Sequence, residues 1–278
     1  MSTWIITGAA SGLGRRLAAE ALDNGHNVVL ADRDTTGAEA LVARYPDTAI
    51  AVTVDVTDPA RRAAAVAAAT ERFGAVDVLV NNAGIDHIGA IEEQDEADYR
   101  RVFEVNFFGA VGMTRAVLPA MRAARSGLIA NVTSMDGIAS LPVNAFYSAS
   151  KFALEGLTDA LAGEVAHLGI RTLLVEPGSI RTGIEKNTGV SGIRIADYDA
   201  VTAPFLGAVA SPTAGVDLFP GDPVRTAALM YAEITAAEPR RRLILGSDAL
   251  ANVTAAIARL RDDIEASADV APQADFAS

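Results

Sequence analysis

Short apolar runs alternate with helical stretches along most of the chain, and this alternation predicts the fold. The runs are apolar at nearly every position, which is typical of parallel strands covered by helices on both faces. Strands that alternate with helices in this way form a doubly wound sheet with right-handed crossovers. We therefore expect an α/β fold with a parallel sheet of about seven strands. The predicted strands are Thr3–Thr7, Asn27–Ala31, Ala49–Val54, Val76–Asn81, Leu128–Thr133, Arg171–Glu176 and Arg242–Leu245.

Longer stretches between these runs show the spacing of apolar residues that is typical of helices. Asp58 followed by Pro59 is a strong helix start, because the aspartate side chain caps the first turn and proline suits its geometry. Pro119 lies inside another helical stretch and is expected to kink or end it. The predicted helices include Gly12–Asn24, Pro59–Phe73, Glu104–Arg125 and Ala145–His167.

The segment 183–220 loses this periodicity and collects Gly, Pro and small polar residues. A stretch of that length directly after the sixth predicted strand is typical of a lid over a substrate site. After about Ser267 the composition turns to Ala, Asp, Pro and Gln, which is typical of a flexible tail. We therefore expect one domain over residues 1–266, with the lid inside it, and a tail over 267–278.

The chain has 278 residues, a net charge of −12, no cysteine and three histidines. An acidic protein is repelled by nucleic acid and by anionic membranes, so the expected partners are small molecules. The lack of cysteine excludes disulfides and thiol nucleophiles, and His26, His87 and His167 lack the spacing of metal ligands. The apolar stretches are too short to cross a membrane and no export signal precedes the first strand, so we expect a cytoplasmic protein.

A glycine-rich segment, TGAASGLG, joins the first predicted strand to the first helix. In a Rossmann-type fold this is the phosphate loop, where backbone N–H groups at the helix N-terminus face the pyrophosphate of a dinucleotide. Gly8 would allow the tight turn, Gly12 the close approach of the phosphates, and Gly14 the packing of helix on strand. Ser11 and Leu13 belong to the same loop. The spacing differs from GxGxxG, and a plain strand-to-helix turn is the alternative.

Asp32 ends the second predicted strand, eighteen residues after Gly14. A carboxylate there would accept hydrogen bonds from both hydroxyls of the adenosine ribose and would repel a 2′-phosphate, which favours NAD over NADP. Arg33 weakens this argument, because a guanidinium could pair with that phosphate or stack on adenine. After the third strand, Asp55 is a candidate partner of the adenine amino group, with Val56 beside it. A turn or capping role for Asp55 is the alternative.

Tyr147 and Lys151 lie four residues apart in YSASK, and on a helix that spacing puts both side chains on one face. A phenol titrates near roughly 10, so the pKa of Tyr147 would have to be lowered for it to act as a base near neutral pH. The Lys151 ammonium and an oxidised nicotinamide ring could do this together. Ser134 would then hydrogen-bond the substrate oxygen. A surface tyrosine and lysine are the alternative for YxxxK. Ser148 and Lys151 also form an SxxK motif, which lacks the KTG and SDN partners of acyl-transfer enzymes.

Together these motifs resemble the short-chain dehydrogenase/reductase family, over roughly residues 3 to 250. Members carry the same motifs in this order: TGAASGLG, NNAG at Asn81–Gly84, Asn106 in EVNFFG, Ser134 in NVTS, YSASK, and PGSIRT at Pro177–Thr182. The segments SKFALEGLTDALAGEVAHLGIRTLLVEPG and PRRRLILGSDA are similar to the branch of retinol and hydroxysteroid dehydrogenase-like proteins. That branch usually has an uncharged residue where this chain has Asp32, and its following arginine goes with NADP, so Asp32 departs from it and favours NAD.

The resemblance implies a role for each motif. Tyr147 would be the general acid and base, Ser134 would orient the substrate oxygen, and Lys151 would bind the nicotinamide ribose. Asn106 would hold a water that links the lysine to solvent; a helix-kink residue that satisfies a carbonyl is the alternative. NNAG would bring its backbone past the cofactor, and PGSIRT would hold the nicotinamide. The cofactor contacts implied by these two motifs are Asn82, Ala83, Gly84, Pro177, Gly178, Ile180 and Thr182.

The function expected from the sequence is that of an oxidoreductase that moves a hydride between NAD and a secondary alcohol or ketone. An NADP-dependent carbonyl reductase and a non-catalytic nucleotide-sensing protein of the same fold are the alternatives. The apolar lid residues Ile184, Ile193, Phe205 and Leu206 favour an apolar or cyclic substrate. The two long helices would assemble a homodimer or homotetramer, as in relatives. The expected pocket residues are Asp86, His87, Met135, Asp136 and Asn144.

Overall fold

A computed structural model describes residues 1–181, 188–210 and 219–276 of the chain. In chain order the strands are β1 (Thr3–Thr7), β2 (Asn27–Asp32), β3 (Ala49–Thr53), β4 (Val78–Asn81), β5 (Asp86–Ile88), β6 (Gly127–Val132), β7 (Ile170–Pro177), β8 (Thr188–Val190) and β9 (Arg242–Leu245). Seven of them form one parallel sheet, which confirms the predicted fold class. β5 and β8 pair with each other outside that sheet.

The central sheet has the strand order β3-β2-β1-β4-β6-β7-β9. Every neighbouring pair is parallel, and Trp4 of β1 lies opposite Val28 of β2 on one side and Val78 of β4 on the other. The chain moves outward from β1 to β3 and then returns to the other side of β1, so the winding reverses between β1 and β4. A ligand crevice opens at the carboxyl ends of parallel strands at such a reversal.

Helices cover both faces of the sheet, and those predicted from the sequence begin and end close to the expected residues. Asp58 caps the helix that starts at Pro59 by accepting a hydrogen bond from the Ala60 N–H at 2.8 Å. Asp222 caps a second helix in the same way, through the Val224 N–H. In chain order the helices are α1 (Gly12–Asp23), α2 (Glu39–Arg44), α3 (Pro59–Phe73), α4 (Glu96–Phe103), α5 (Ala110–Ala124), α6 (Ala145–Val165), α7 (Asp199–Ala210), α8 (Pro223–Ile234) and α9 (Ser247–Ala266).

Two apolar clusters form the core, one on each face of the sheet. Successive residues of β1 alternate between them, with Trp4 and Ile6 in one cluster and Ile5 in the other. The first cluster contains Leu17 of α1 and Met230 of α8, and the second contains residues of α3, α5 and α6. Because both faces are covered, the strands are apolar at most positions, which is the pattern that the sequence shows.

The predicted lid is described only in part, because 183–187 and 211–218, and with them Ile184, lie outside the described residues. The described part contains β8 and α7. It is attached to the loop before α4 through Glu93, which is fully buried. The Glu93 carboxylate accepts hydrogen bonds from the Ile195 N–H at 2.9 Å and from Arg194 at 3.3 Å. A buried, fully bonded carboxylate therefore anchors the segment that follows β8.

The C-terminal helix α9 ends at Ala266, and the residues beyond it are exposed as far as Phe276. A short 3₁₀ turn at Ala271–Ala274 lies in this stretch. The division into a domain that ends at 266 and a tail stays a prediction. Among the described helices, none has both the length and the apolar character that crossing a membrane requires.

Candidate functional site

The glycine-rich segment forms a tight loop between β1 and α1. Gly8 and Gly12 have φ angles of +66° and +53°, in the left-handed region where residues with a side chain are strained. A Cβ at Gly14 would overlap the Gly8 carbonyl and lie 2.5 Å from Nδ2 of Asn82, so this position has no room for a side chain. The loop conformation therefore depends on its glycines. The first N–H groups of α1, which have no partner inside the helix, begin at this loop.

The residues between these glycines differ in their surroundings. Ser11 precedes α1 in an extended conformation, is exposed, and makes no side-chain capping hydrogen bond. Leu13 is buried in the core. Arg15 and Arg16 bring positive charge next to the helix N-terminus, an arrangement that suits an anionic group. A cavity of about 370 Å³ opens here, lined by Ala10, Ser11, Gly12, Arg15, Arg16, Ala19 and Leu41.

Asn82, after β4, fixes the loop from the neighbouring strand. Its Nδ2 donates to the carbonyl oxygen of Thr7 at 2.9 Å and of Gly8 at 3.3 Å. In return, Thr7 Oγ1 accepts hydrogen bonds from the N–H groups of Asn82 and Ala83, each at 3.0 Å. These bonds join the ends of β1 and β4 at the reversal of the winding. Asn82 and Ala83 were expected from the sequence, whereas Thr7 lies in the glycine-rich motif but had no role assigned to it.

Asp32 lies at the carboxyl end of β2, half-buried. One carboxylate oxygen accepts a hydrogen bond from the Ala10 N–H at 2.9 Å, which holds the side chain against the glycine loop. Gly37 packs close by, since a Cβ there would overlap the Ala10 carbonyl. Arg33 is exposed. Asp32 is thus placed to bind ribose hydroxyls beside the loop, and that contact remains a prediction.

Asp55 is engaged in a turn after β3. Its Oδ1 accepts hydrogen bonds from the Thr57 N–H at 2.9 Å and from the Thr57 hydroxyl at 2.7 Å, and its Oδ2 lies 3.4 Å from Arg101. Val56 is buried and lies against Gly109, where a Cβ would overlap it. The contacts favour the turn role for Asp55 that the sequence left open, and an adenine contact stays a prediction.

Ser134, Tyr147 and Lys151 meet at the carboxyl ends of β4 and β6. Lys151 Nζ donates to the Val132 carbonyl at 2.9 Å and lies 5.4 Å from the centroid of the Tyr147 ring. The Ser134 hydroxyl bonds to the phenol of Tyr147 and accepts the Asp136 N–H at 3.1 Å. Ser134 and Lys151 are both more than nine-tenths buried. The three residues singled out in the sequence therefore form one buried polar cluster.

Burial and neighbouring carboxylates dominate the electrostatics of this cluster. Burial raises the pKa of Tyr147 above its usual value, the carboxylates of Asp136 and Asp86 raise it further, and the Ser134 hydrogen bond lowers it. Burial also lowers the pKa of Lys151 to about 8, against the pull of neighbouring carboxylates. The protein groups alone therefore keep Tyr147 a neutral phenol, and a lower tyrosine pKa through Lys151 together with an oxidised nicotinamide ring stays a prediction.

Asn106 lies in a π-helical turn, Glu104–Gly109, between α4 and α5. Its side chain donates to the Ile85 carbonyl at 2.9 Å and accepts the Ile85 N–H at 2.9 Å. Nδ2 also donates to Ser150 Oγ at 3.1 Å, and Ser150 in turn donates to the Tyr147 carbonyl at 2.7 Å. These bonds support the alternative of a helix-irregularity residue that satisfies backbone groups. The water relay stays a prediction.

Gly84 lies between the lysine and this asparagine. A Cβ there would be 3.5 Å from Asn106 Oδ1 and 3.6 Å from Lys151 Nζ, ordinary contact distances. Gly84 thus places the NNAG backbone directly beside the catalytic candidates, where the resemblance implies that the cofactor passes.

The segment that follows β7 is bonded to the end of β9, at the carboxyl edge of the sheet. Pro177 ends β7, and Gly178 donates its N–H to the Leu245 carbonyl at 2.8 Å. Asp248, which the sequence analysis missed, accepts the Ser179 N–H at 2.8 Å and would be overlapped by any Cβ on Gly178. Ile180 is buried and bridges to Gly221. Thr182 lies outside the described residues.

The candidate residues therefore fit a dinucleotide at the carboxyl edge. The glycine loop, Asp32, Gly84 and Lys151 follow β1, β2, β4 and β6 in turn, and the strand order places their ends side by side. Positive φ angles and missing side chains leave room for phosphates at one end, and buried proton-transfer groups lie at the other.

Comparisons with known proteins agree with this geometry. A family model described as short chain dehydrogenase matches residues 2–190. Oxidoreductase BOA17 of Botryotinia fuckeliana is 33% identical over 248 residues, which cover 89% of each chain. A short-chain dehydrogenase structure from Streptomyces avermitilis is 38% identical with a TM-score of 0.89, and covers 99% of this chain and 98% of its own. A short chain dehydrogenase/reductase from Burkholderia phymatum, in complex with NAD, is 29% identical with a TM-score of 0.80, over 96% and 95%.

Proposed function

Since the chain belongs to the short-chain dehydrogenase family, we propose that it moves a hydride between NAD and the carbon of a secondary alcohol or ketone, with Tyr147 as acid and base. The observation that carries this proposal is the buried cluster of Ser134, Tyr147 and Lys151 at the same sheet edge as the glycine loop. NAD, when bound, supplies the hydride acceptor or donor. The protein side chains bind and orient the substrate and transfer the proton.

Each side chain of the cluster has a distinct task in the proposed reaction. In ketone reduction, the neutral phenol of Tyr147 donates its proton to the substrate oxygen, which matches the raised pKa of the phenol. In alcohol oxidation, the phenolate takes the hydroxyl proton. Ser134 orients the oxygen through its hydroxyl. Lys151 is held in place by the Val132 carbonyl, so its charge stays fixed near the phenol during both directions.

The preference for NAD rests on Asp32. Its carboxylate is oriented by the Ala10 N–H beside the glycine loop, where it would bind two ribose hydroxyls and repel a 2′-phosphate. Arg33 is exposed next to it and is the group that would favour NADP. The oriented carboxylate supports NAD, because a fixed negative charge beside the ribose would repel a 2′-phosphate.

An apolar or cyclic body of the substrate is proposed from the lid. Phe205 and Leu206 of α7 are half-buried, and Ile193 is 41% exposed. Aromatic and aliphatic side chains of this kind line most small-molecule sites. Asp86, His87, Met135, Asp136 and Asn144 would form the remaining wall of the pocket.

We also propose that two copies associate through α5 and α6. The outer face of α6 carries small residues, and nothing lies within 4 Å of a Cβ at Gly156 or Gly163. Phe152 and Phe108 are 45% and 51% exposed on this surface. An apolar cavity of about 420 Å³ adjoins it, lined by Tyr99, Arg100, Phe103, Glu104, Phe108, Phe146 and Ala149. An exposed aromatic and small-residue face suits close packing of helices in a homodimer or homotetramer.

The Tyr147→Phe variant tests the proposed chemistry. We expect near-complete loss of turnover with a panel of secondary alcohols and NAD, and unchanged binding of NADH in a fluorescence titration. Tyr45→Phe is the matched control, because Tyr45 is a surface tyrosine at the end of α2. Unchanged turnover of Tyr147→Phe would refute the role of Tyr147. If neither the unaltered protein nor Tyr147→Phe showed turnover while both bound NADH, a nucleotide-sensing protein would be favoured. Binding of NADPH more tightly than NADH would overturn the choice of NAD.

A further inference from the structure

The substrate side of the cluster carries a carboxylate that the proposed chemistry does not use. Asp136 follows Ser134 by two residues, is 3% exposed, and donates its N–H to Ser134 Oγ. Its Oδ2 accepts a hydrogen bond from Asn144 Nδ2 at 2.7 Å, but its Oδ1 is buried without a partner. The Ser134 hydroxyl that accepts the Asp136 N–H also bonds to the Tyr147 phenol, so Asp136 lies close to the reacting hydroxyl.

A second carboxylate, Asp86, lies next to it. Asp86 begins β5, directly after Ile85, and accepts the His87 N–H at 2.7 Å. Its charge acts on Asp136, on Tyr147 and on Lys151. Gly84, two residues earlier in the chain, lies beside the lysine, since a Cβ there would be 3.6 Å from Lys151 Nζ. Burial raises the pKa of each carboxyl group to about 6, so both are mainly ionised near neutral pH.

Among the described residues, little positive charge acts on this pair. Lys151 is the cation that acts on both carboxylates, and burial makes it a weaker base than usual. His87 also acts on Asp86, but its ring faces Gln94 and Asp98. Burying a carboxylate oxygen without a donor is costly, and a water molecule would supply a hydrogen bond but no charge. A donor that carries a positive charge would satisfy both needs.

We propose that Asp86 and Asp136 bind an ammonium group of the substrate. The substrate class is then secondary alcohols that carry an amino group, and the amino ketones formed when they are oxidised. This inference rests on the proposed function. The Asp136 backbone touches Ser134, which orients the substrate oxygen, so the ammonium belongs close to the carbinol carbon. The apolar body proposed from the lid would fill the rest of the pocket.

The two carboxylates would also make hydride transfer from an amino alcohol easier. In the oxidation, the carbinol hydrogen would leave with the electron pair of its C–H bond, as a hydride accepted by NAD+, while the hydroxyl proton goes to the Tyr147 phenolate and the C–O bond becomes C=O. An ammonium near the carbinol carbon withdraws electrons and opposes loss of the hydride. Carboxylates paired with that ammonium offset the withdrawal, since opposite charges in a buried site interact strongly.

Three alcohols of nearly equal shape test the inference with NAD. They are 2-amino-1-phenylethanol, 1-phenyl-1,2-ethanediol and 1-phenyl-1-propanol, which place an ammonium, a hydroxyl and a methyl group at the same position. We expect kcat/KM to fall in that order, with the amine exceeding the methyl compound by about tenfold or more. Equal or faster oxidation of the methyl compound by the unaltered protein would overturn the inference without touching the proposed function. No oxidation of these three, with turnover of other secondary alcohols, would overturn the inference alone, and no turnover of the whole alcohol panel would overturn the proposed function as well.

Two variants assign the preference to residues. Asp136→Asn and Asp86→Asn should each lower the amine-to-methyl ratio of kcat/KM several-fold, mainly through a higher KM for the amine. Asp47→Asn is the matched control, because Asp47 is exposed in the turn before β3 at the opposite edge of the sheet. An NADH titration shows which variants fold. Should Asp136→Asn not fold, Asp86→Asn and the three substrates decide, and an unchanged ratio in a folded variant contradicts the assignment.

Discussion

A buried charge cluster under the catalytic helix should make the protein less stable as the pH rises, and Glu176 is the group to test. Glu176 of β7 is fully buried, and Arg242 of β9 donates to both Glu176 and Glu155. Glu155 follows Lys151 by one turn of α6. One guanidinium thus serves two buried carboxylates, and Oε2 of Glu176 and Oε1 of Glu155 have no partner. The cluster therefore favours a protonated carboxyl group.

The magnitude follows from the pKa of Glu176. Burial first, and then the Glu155 charge, raise it from 4.5 to about 7, against the attraction of Arg242. The folded protein therefore binds more protons than the unfolded chain between these values, and stability falls as the pH rises through that window. A rise of this size corresponds to roughly 3 kcal/mol at about 1.4 kcal/mol per pKa unit. Because Arg242 is 35% exposed, solvent screening reduces our expectation to about 2 kcal/mol.

Glu176→Gln removes this titration while keeping the shape and an acceptor for Arg242. We expect the free energy of unfolding of the unaltered protein to fall by about 2 kcal/mol more than that of the variant between pH 5 and pH 8. Urea unfolding at both pH values measures it, with the fluorescence of Trp4, the single tryptophan and fully buried, as the signal. Asp86 and Asp136 titrate in both proteins, so their contributions cancel in the comparison.

Glu164→Gln serves as the control, since Glu164 is exposed on the same helix. It should leave the pH dependence of the unaltered protein unchanged. If Glu176→Gln showed the same loss of stability between the two pH values as the unaltered protein, the argument that Glu176 is forced towards its protonated form would be refuted.

Two further outcomes test the nucleotide loop and the assembly. Gly14→Ala places a methyl group on the Gly8 carbonyl, so we expect NADH binding in a fluorescence titration to weaken by about tenfold or more and the protein to lose roughly 1–3 kcal/mol of stability. Gly25→Ala, at an open position with φ +79°, is the control that separates loss of stability from loss of binding. Normal NADH affinity of Gly14→Ala would contradict the loop assignment. Gly163→Arg puts a large cation on the open face of α6, so light scattering should show a smaller assembly than for the unaltered protein, whereas an unaltered protein that is already a monomer would contradict the proposed interface.

The sequence predicted the sheet well because strand signals are local. Runs that are apolar at most positions need only a cover of helices on both faces, and the fold provides it. The predicted strand Val76–Asn81 begins two residues early, and Arg171–Glu176 is extended to Pro177. Pro119, expected to kink or end its helix, lies inside α5, which continues to Ala124. Five residues beyond the proline fit in that helix because packing on the sheet outweighs the lost backbone hydrogen bond.

The site was predictable only where a motif marks it. Asn82, Asn106 and Lys151 lie in recognisable motifs, and the structure brings them around Gly84. Thr7 and Asp248 lie inside recognisable motifs, but their roles come from hydrogen bonds to other segments that no spacing along the chain reveals. The same holds for the clustering of charge, because a pairwise argument from Tyr147 and Lys151 omits the carboxylates that other strands bring to the same place.

These carboxylates change the direction in which the protein shifts the pKa of the Tyr147 phenol. Taken alone, a lysine one turn away would favour the phenolate, but Asp86 and Asp136 act in the opposite direction and burial adds to them. The protein groups therefore hold the proton on Tyr147, which suits a general acid that protonates the oxygen of a ketone substrate. For alcohol oxidation, the balance has to be shifted by positive charge that arrives with the ligands, either the oxidised nicotinamide ring or a substrate ammonium between the two carboxylates. Binding and proton transfer would then be coupled, because the charge that pairs with the carboxylates also frees the phenol to act as a base.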